Sequence, residues 1–165
     1  FLYFPLFNYA DGDLQVLHAL HGHPSIRMGL SDGGAHCGAI ADAGMPTFML
    51  SHWTRDRTRG ERIPLETIVH RQTQQTAALY GLLDRGLLAP GYRADVNVID
   101  YQQLGLTAPE LVHDLPAGGQ RLVQRALGYD FTLCAGRVIL ERGQPTEERP
   151  GSLVRGPQPA PQPQR

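Results

Sequence analysis

The chain has 165 residues, 41% of them hydrophobic and 19% charged, with a formal net charge of −1. That length suits one ordinary domain, and acidic and basic residues are mixed along it, which excludes the basic footprint of a nucleic-acid binder. Cys37 and Cys134 stand alone without CxxC spacing, so neither a disulfide framework nor a zinc knuckle is indicated, and no lysine occurs.

The chain starts Phe1-Leu2-Tyr3-Phe4-Pro5-Leu6-Phe7. This run is too short to cross a membrane and lacks the basic start of a signal peptide. It reads as an edge inside a larger fold, and a cytoplasmic protein with no membrane partner is expected. Asn8 to His21 follows as a helix. Leu14, Leu17, Ala19 and Leu20 share one face, Asp11 or Asp13 can cap the start, and Gly22 stands where a C-cap glycine belongs. His21 and His23 form an HxH pair, but they lie at the loop entering the next strand, the face of an α/β barrel where stability rather than chemistry sits.

Ile26-Arg27-Met28-Gly29-Leu30-Ser31 reads as a short strand buried on both faces, as in a parallel sheet. Asp32 then stands at its carboxyl end, and Gly33-Gly34 allows a sharp turn. Two readings of Asp32 stay open on spacing alone. It caps the following turn, or it is presented where α/β folds place their chemistry. His36 follows in the same loop.

Pro46 suits the first turn of a helix. Phe48, Met49, His52 and Trp53 share one side of it, either as core packing or as a site wall. Arg55 to Arg62 is a mixed-charge run of the kind found on solvated loops. Arg62 to Gly81 is the clearest helix, with Pro64 and Glu66 at its start, a stripe through Leu65, Ile68, Val69 and Tyr80, and Gly81 at its end.

Beyond Asp84 the character changes. Pro90-Gly91 fits a type II turn, Val96 to Asp100 alternates as a strand, and 110–128 is broken by Pro109, Pro116 and Gly118-Gly119. Phe131–Cys134 and Val138–Glu141 around a glycine turn predict a β-hairpin. The Pro/Gln-rich stretch from Gly156 to Arg165 reads as a disordered tail.

Gly29-Leu30-Ser31-Asp32-Gly33-Gly34-Ala35-His36, then Ser51-His52-Trp53-Thr54-Arg55-Asp56, then Ala89-Pro90-Gly91-Tyr92-Arg93-Ala94-Asp95-Val96-Asn97-Val98-Ile99-Asp100 occur in that order. Together they resemble the carboxyl-terminal third of the amidohydrolase superfamily, in its N-acyl-D-amino-acid deacylase (D-aminoacylase-like) branch. The resemblance implies an α/β fold, the last part of a metal-dependent (β/α)8 barrel plus the returning strands of a small β-sandwich. Residues 1–84 would be barrel, 85–155 sandwich strands with a connecting segment, and 156–165 tail. It implies a metal-dependent hydrolase of the C–N bond in N-acyl-D-amino acids or related small amides, with a cyclic-amide hydrolase, a deaminase or a non-catalytic binding module as alternatives. Asp32 matches the family's aspartate at the end of the last strand, which contacts the metal-bound water and shuttles its proton, so it is assigned as catalytic residue and metal contact. The centre would be zinc, one or two ions, with the other ligands outside this chain, and the isolated segment is expected to be inactive. The resemblance would place substrate-binding positions at Gly33, Gly34, His36, His52 and Arg55. Between Gly33 and Thr54 there is no Arg or Lys, which leaves Arg55 or Arg57 to clamp a substrate carboxylate.

Overall fold

The structure, a computed structural model, describes residues 9–29, 31–33 and 36–162. The apolar start at 1–7, Leu30 and Gly34 lie outside the described residues. A helical part comes first, with α1 over Gln15–Gly22, α2 over Met45–Ser51, α3 over Leu65–Gln72 and α4 over Gln74–Leu79. Among the described residues eight short strands follow, beginning with β1 at Val96–Ile99.

Leu14 stands at the start of α1 and makes no side-chain cap; Asp13, one residue earlier, accepts the Gln15 N–H on its Oδ1 at 2.8 Å. Gly22 is the last helical residue and His23, in extended backbone, ends the helix, so the expected glycine cap is not used there. Pro46 occupies the first turn of α2, where its missing N–H costs nothing. A single π turn over His52–Asp56 continues α2, closed by the Arg57 N–H on the His52 carbonyl at 2.8 Å.

The single helix expected over 62–81 is broken. Thr73, at φ −116 and ψ −97, separates α3 from α4. Its hydroxyl donates to the Val69 carbonyl at 2.7 Å, the local competition that weakens a helix at Thr. Gly86 comes up against the break, where a Cβ would lie 2.8 Å from the Gln74 Cα. α4 closes in a Schellman motif around Gly81 at φ +70, with Leu82 N–H to Ala77 O at 2.9 Å and Gly81 N–H to Ala78 O at 3.0 Å.

The strand expected at 26–31 makes no ladder among the described residues. Strand backbone needs a neighbour for its polar groups; here a side chain serves instead. Buried Arg71 donates to the His21 carbonyl at 2.5 Å and the Ile26 carbonyl at 2.8 Å.

The sheet is a four-stranded antiparallel meander in the order β1-β6-β7-β8, with β6 at Tyr129–Cys134, β7 at Arg137–Glu141 and β8 at Gln144–Pro145. The predicted hairpin is β6–β7. Ala135 and Gly136, at φ 49 and 78, form its two-residue turn, the signature of a type I′ turn. The strand predicted at 96–100 pairs directly with it, Val96 opposite Leu133. Pro90-Gly91 is the expected type II turn, with Gly91 at φ +86 and Tyr92 N–H on Ala89 O at 3.2 Å. Between β1 and β6 the chain leaves the sheet for two small ladders, β2 (Gly105–Leu106) with β5 (Ala126–Leu127) and β3 (Glu110–Val112) with β4 (Arg121–Val123). Part of the tail is tied down. Leu83 N–H donates to Gln158 O, and Gln158 N–H to Gly81 O, each at 2.9 Å; two main-chain bonds hold a segment whose composition alone suggests disorder.

The core joins the two parts. Trp53, Ile68, Leu104, Met49 and Leu50 are buried, with Leu17, Ile99, Tyr101 and Tyr129 packed against them. None of the described helices is long and apolar enough to cross a membrane.

Candidate active site

Asp32 is exposed and holds φ 53, and His36, also exposed, holds φ 44. Left-handed backbone at residues bearing a Cβ is uncommon, Asp and His being among the types that tolerate it best. Gly33 between them is required by space, since a Cβ there would lie 2.8 Å from the Ala43 Cβ. The His36 carbonyl accepts the Ala39 and Ile40 N–H groups at 2.7 and 3.0 Å, so the loop turns at once into the short helical turn Asp42–Gly44. Further along, the Cys37 carbonyl accepts the Leu122 N–H of β4 at 2.7 Å. The loop that carries Asp32 is therefore pinned from both sides while its carboxylate faces solvent.

His52 and Arg55 belong to a different place, the joint around Trp53 and Tyr101. His52 stacks on Phe48 at 4.6 Å between ring centroids and meets Trp53 edge-on at 5.3 Å. Burial and the Arg57 charge hold its imidazole below the usual histidine range, against the opposing pull of Asp56. Its Nε2 is buried without a partner among the described residues. Arg57, the other candidate clamp, lies buried over the Trp53 ring at 4.6 Å and donates to Gln15 Oε1 at 2.9 Å.

Arg55 does not stand free to clamp a substrate carboxylate. Its Nε and Nη2 form a fork on Asp56 at 2.6 and 2.8 Å. Nη2 also reaches the Leu104 carbonyl at 2.6 Å, and Nη1 donates to the carbonyls of Tyr101 and Gln102. The hydrogen bond from Arg55 holds the Asp56 carboxyl below the usual carboxylate range. A guanidinium offers five N–H donors in a fixed fork, and the joint engages them.

The Ala94-Asp95 motif is likewise structural. Asp95 Oδ1 accepts the Ala135 N–H at 2.8 Å, which fixes the β6–β7 turn, and Arg93 Nε bonds both Asp95 oxygens at 3.0 and 2.9 Å. His21 packs edge-on against Trp53 at 5.0 Å, as core rather than ligand. Among the described residues no three His, Cys, Asp or Glu side chains converge to hold a metal. The hairpin β3–β4, whose ends Asp114 and Arg121 pair at 2.8 and 2.7 Å, stands beside the Asp32 loop. Sequence reasoning passed over it; the signal available was an Asp and an Arg flanking Pro116 and Gly118-Gly119.

Residues 15–140 match the Amidohydrolase family, and the chain belongs to that family. It is similar to the N-acyl-D-aspartate deacylase of Alcaligenes xylosoxydans xylosoxydans, 33% identical over 101 residues that make up 61% of this chain and 18% of that protein. A solved structure described as a crystal structure of D-aminoacylase that defines a novel subset of amidohydrolases aligns with 31% identity and a TM-score of 0.47, over 62% of this chain and 19% of that one. The chain thus spans less than a fifth of the length of either relative.

Proposed function

We propose that the protein hydrolyses the amide bond of N-acyl-D-amino acids or related small amides, with Asp32 as the group that moves the proton. The observation that carries this reading is the match to the Amidohydrolase family over residues 15–140, a span that includes Asp32. A charged residue is held exposed in left-handed conformation, in a loop pinned by Gly33 and Cys37, within a family of amide hydrolases. In the same reading residues 1–84 are the closing part of a (β/α)8 barrel, residues 85–155 are strands of a small β-sandwich, and 156–165 follow as a tail.

The family's chemistry calls for a metal ion, for which zinc is the proposal, since a bound ion lowers the pKa of water toward neutrality and polarises a carbonyl. The described residues offer the Asp32 carboxylate toward such an ion and do not complete a ligand set, so the remaining ligands would come from outside them. The step assigned to this chain is a proton transfer. The Asp32 carboxylate takes a proton from the attacking water as the C–O bond forms. It then returns that proton to the amide nitrogen as the C–N bond breaks, giving a carboxylic acid and an amine. Gly33, Gly34 and His36 are proposed to border the substrate.

The test is a side-by-side assay of the whole protein with an N-acyl-D-amino acid, a hydantoin and an aminopyrimidine. Turnover of the first above the other two is expected. Preference for hydantoin or aminopyrimidine would move the protein to cyclic-amide hydrolysis or deamination, and no turnover of any would favour a binding module.

A further inference from the structure

Between the loop that follows Asp32 and the β3–β4 hairpin lies a cavity of about 360 Å³, within the range of small-molecule pockets, about 300–1,000 Å³. Gly33, Ile40 and Ala43 are on one wall; Leu115, Leu122 and Val123 are on the other. The walls are fastened to each other by the Leu122 N–H on the Cys37 carbonyl at 2.7 Å and by Gln124, whose Oε1 would lie 2.7 Å from a Cβ on Gly44. Asp32 does not line the cavity, but it directly precedes the lining residue Gly33, and consecutive Cα atoms are about 3.8 Å apart.

The charge on the wall is already compensated. Arg121 borders the cavity, but its Nε and Nη2 grip Asp114 of the same hairpin at 2.8 and 2.7 Å. No uncompensated cation on these walls selects an anion, and the other lining groups are mainly aliphatic. An occupant with a neutral aliphatic end and a polar end at the rim suits both facts.

We propose that this cavity is an acyl subsite. It receives the aliphatic chain of an N-acylated substrate, places the scissile carbonyl at Asp32, and sets chain-length preference through Leu115 and Leu122. The inference rests on the reading of Asp32 given under Proposed function. Each methylene buried there raises affinity roughly three- to fourfold.

The test uses the whole protein and one D-amino acid acylated with acetyl, butanoyl, hexanoyl and octanoyl groups. Leu115→Ala enlarges the cavity at a partly exposed side chain and should raise the octanoyl-to-acetyl ratio of kcat/KM about tenfold. Ala41→Phe, which fills the cavity from the wall that Ala41 lines, should lower that ratio at least tenfold. The unaltered protein supplies a third readout that needs no variant: free acyl amides should compete more strongly as the chain lengthens. Unchanged ratios in both variants, or competition independent of chain length, would overturn the subsite. If no acylated amino acid is turned over, the hydrolase reading falls separately. Calorimetric binding of the octanoyl compound then decides the pocket: binding weakened tenfold by Ala41→Phe supports it, and absent or equal binding overturns it.

Discussion

Asp32 and Gly33 divide the work of their loop, one presenting a carboxylate and the other making room against Ala43. Gly33→Ala should therefore lower unfolding free energy by about 1–3 kcal/mol, the usual cost of overpacking. Adding Ala43→Gly should recover part of it, seen as a coupling of at least about 0.5 kcal/mol in a denaturant double-mutant cycle. A pH effect belongs at the same scale. His21 is held below the usual histidine range by burial, then by Arg71 and His18, and His52 by burial and Arg57. The unfolded chain therefore binds more protons than the folded one just below the ordinary pKa of 6.5, and stability rises with pH through that window. The melting temperature should fall as pH drops from about 7.5 to 5.5, and fall less in His21→Gln; an equal drop in both would remove His21 from the account. The turn after Asp32 was legible because an Asp and a glycine are neighbours in sequence, whereas the strand expected at 26–31 makes no ladder among the described residues. The task of Arg55 was not legible, because its acceptors are carbonyls some 46 to 49 residues away.

The π turn at His52–Asp56 and the loop at 100–104 are joined by Arg55, and Thr54 adds a bond to the Tyr101 hydroxyl at 2.6 Å. Removing the guanidinium leaves several carbonyls without their donor. Arg55→Ala should cost about 1–3 kcal/mol of stability, and Arg55→Lys should recover less than half, since a single ammonium cannot reproduce the planar fork. Thermal melts of the whole protein check both, and a lysine variant as stable as wild type would show that charge alone suffices. Elements whose signals are local, such as the Pro90-Gly91 turn, β1 and the β6–β7 hairpin, could be read directly. The break at Thr73 could not, because it reflects both a Thr hydroxyl bond and the approach of Gly86 from thirteen residues further on. The ladders β2–β5 and β3–β4 have strands of two and three residues, too short for alternation to show.

Across the whole chain the buried apolar set among the described residues is small, five side chains gathered where helices meet sheet. Against it stand Tyr80, Leu88 and Leu153, each more than 70% exposed. Residues 1–165 purified alone should give a broad, weakly cooperative melt and no hydrolysis; a sharp transition would show that this core suffices. Asp95, in one of the stretches that carry the family resemblance, holds a hairpin turn, whereas the candidate chemistry rests on Asp32. Substituting that one residue therefore probes the central claim most directly. Asp32→Asn in the whole protein keeps the size and removes the proton acceptor. General acid–base groups contribute on the order of 100- to 10,000-fold, so kcat for an N-acyl-D-amino acid should fall at least about a hundredfold with the melting temperature unchanged. Turnover close to wild type in that variant would contradict the assignment of Asp32 as the proton carrier.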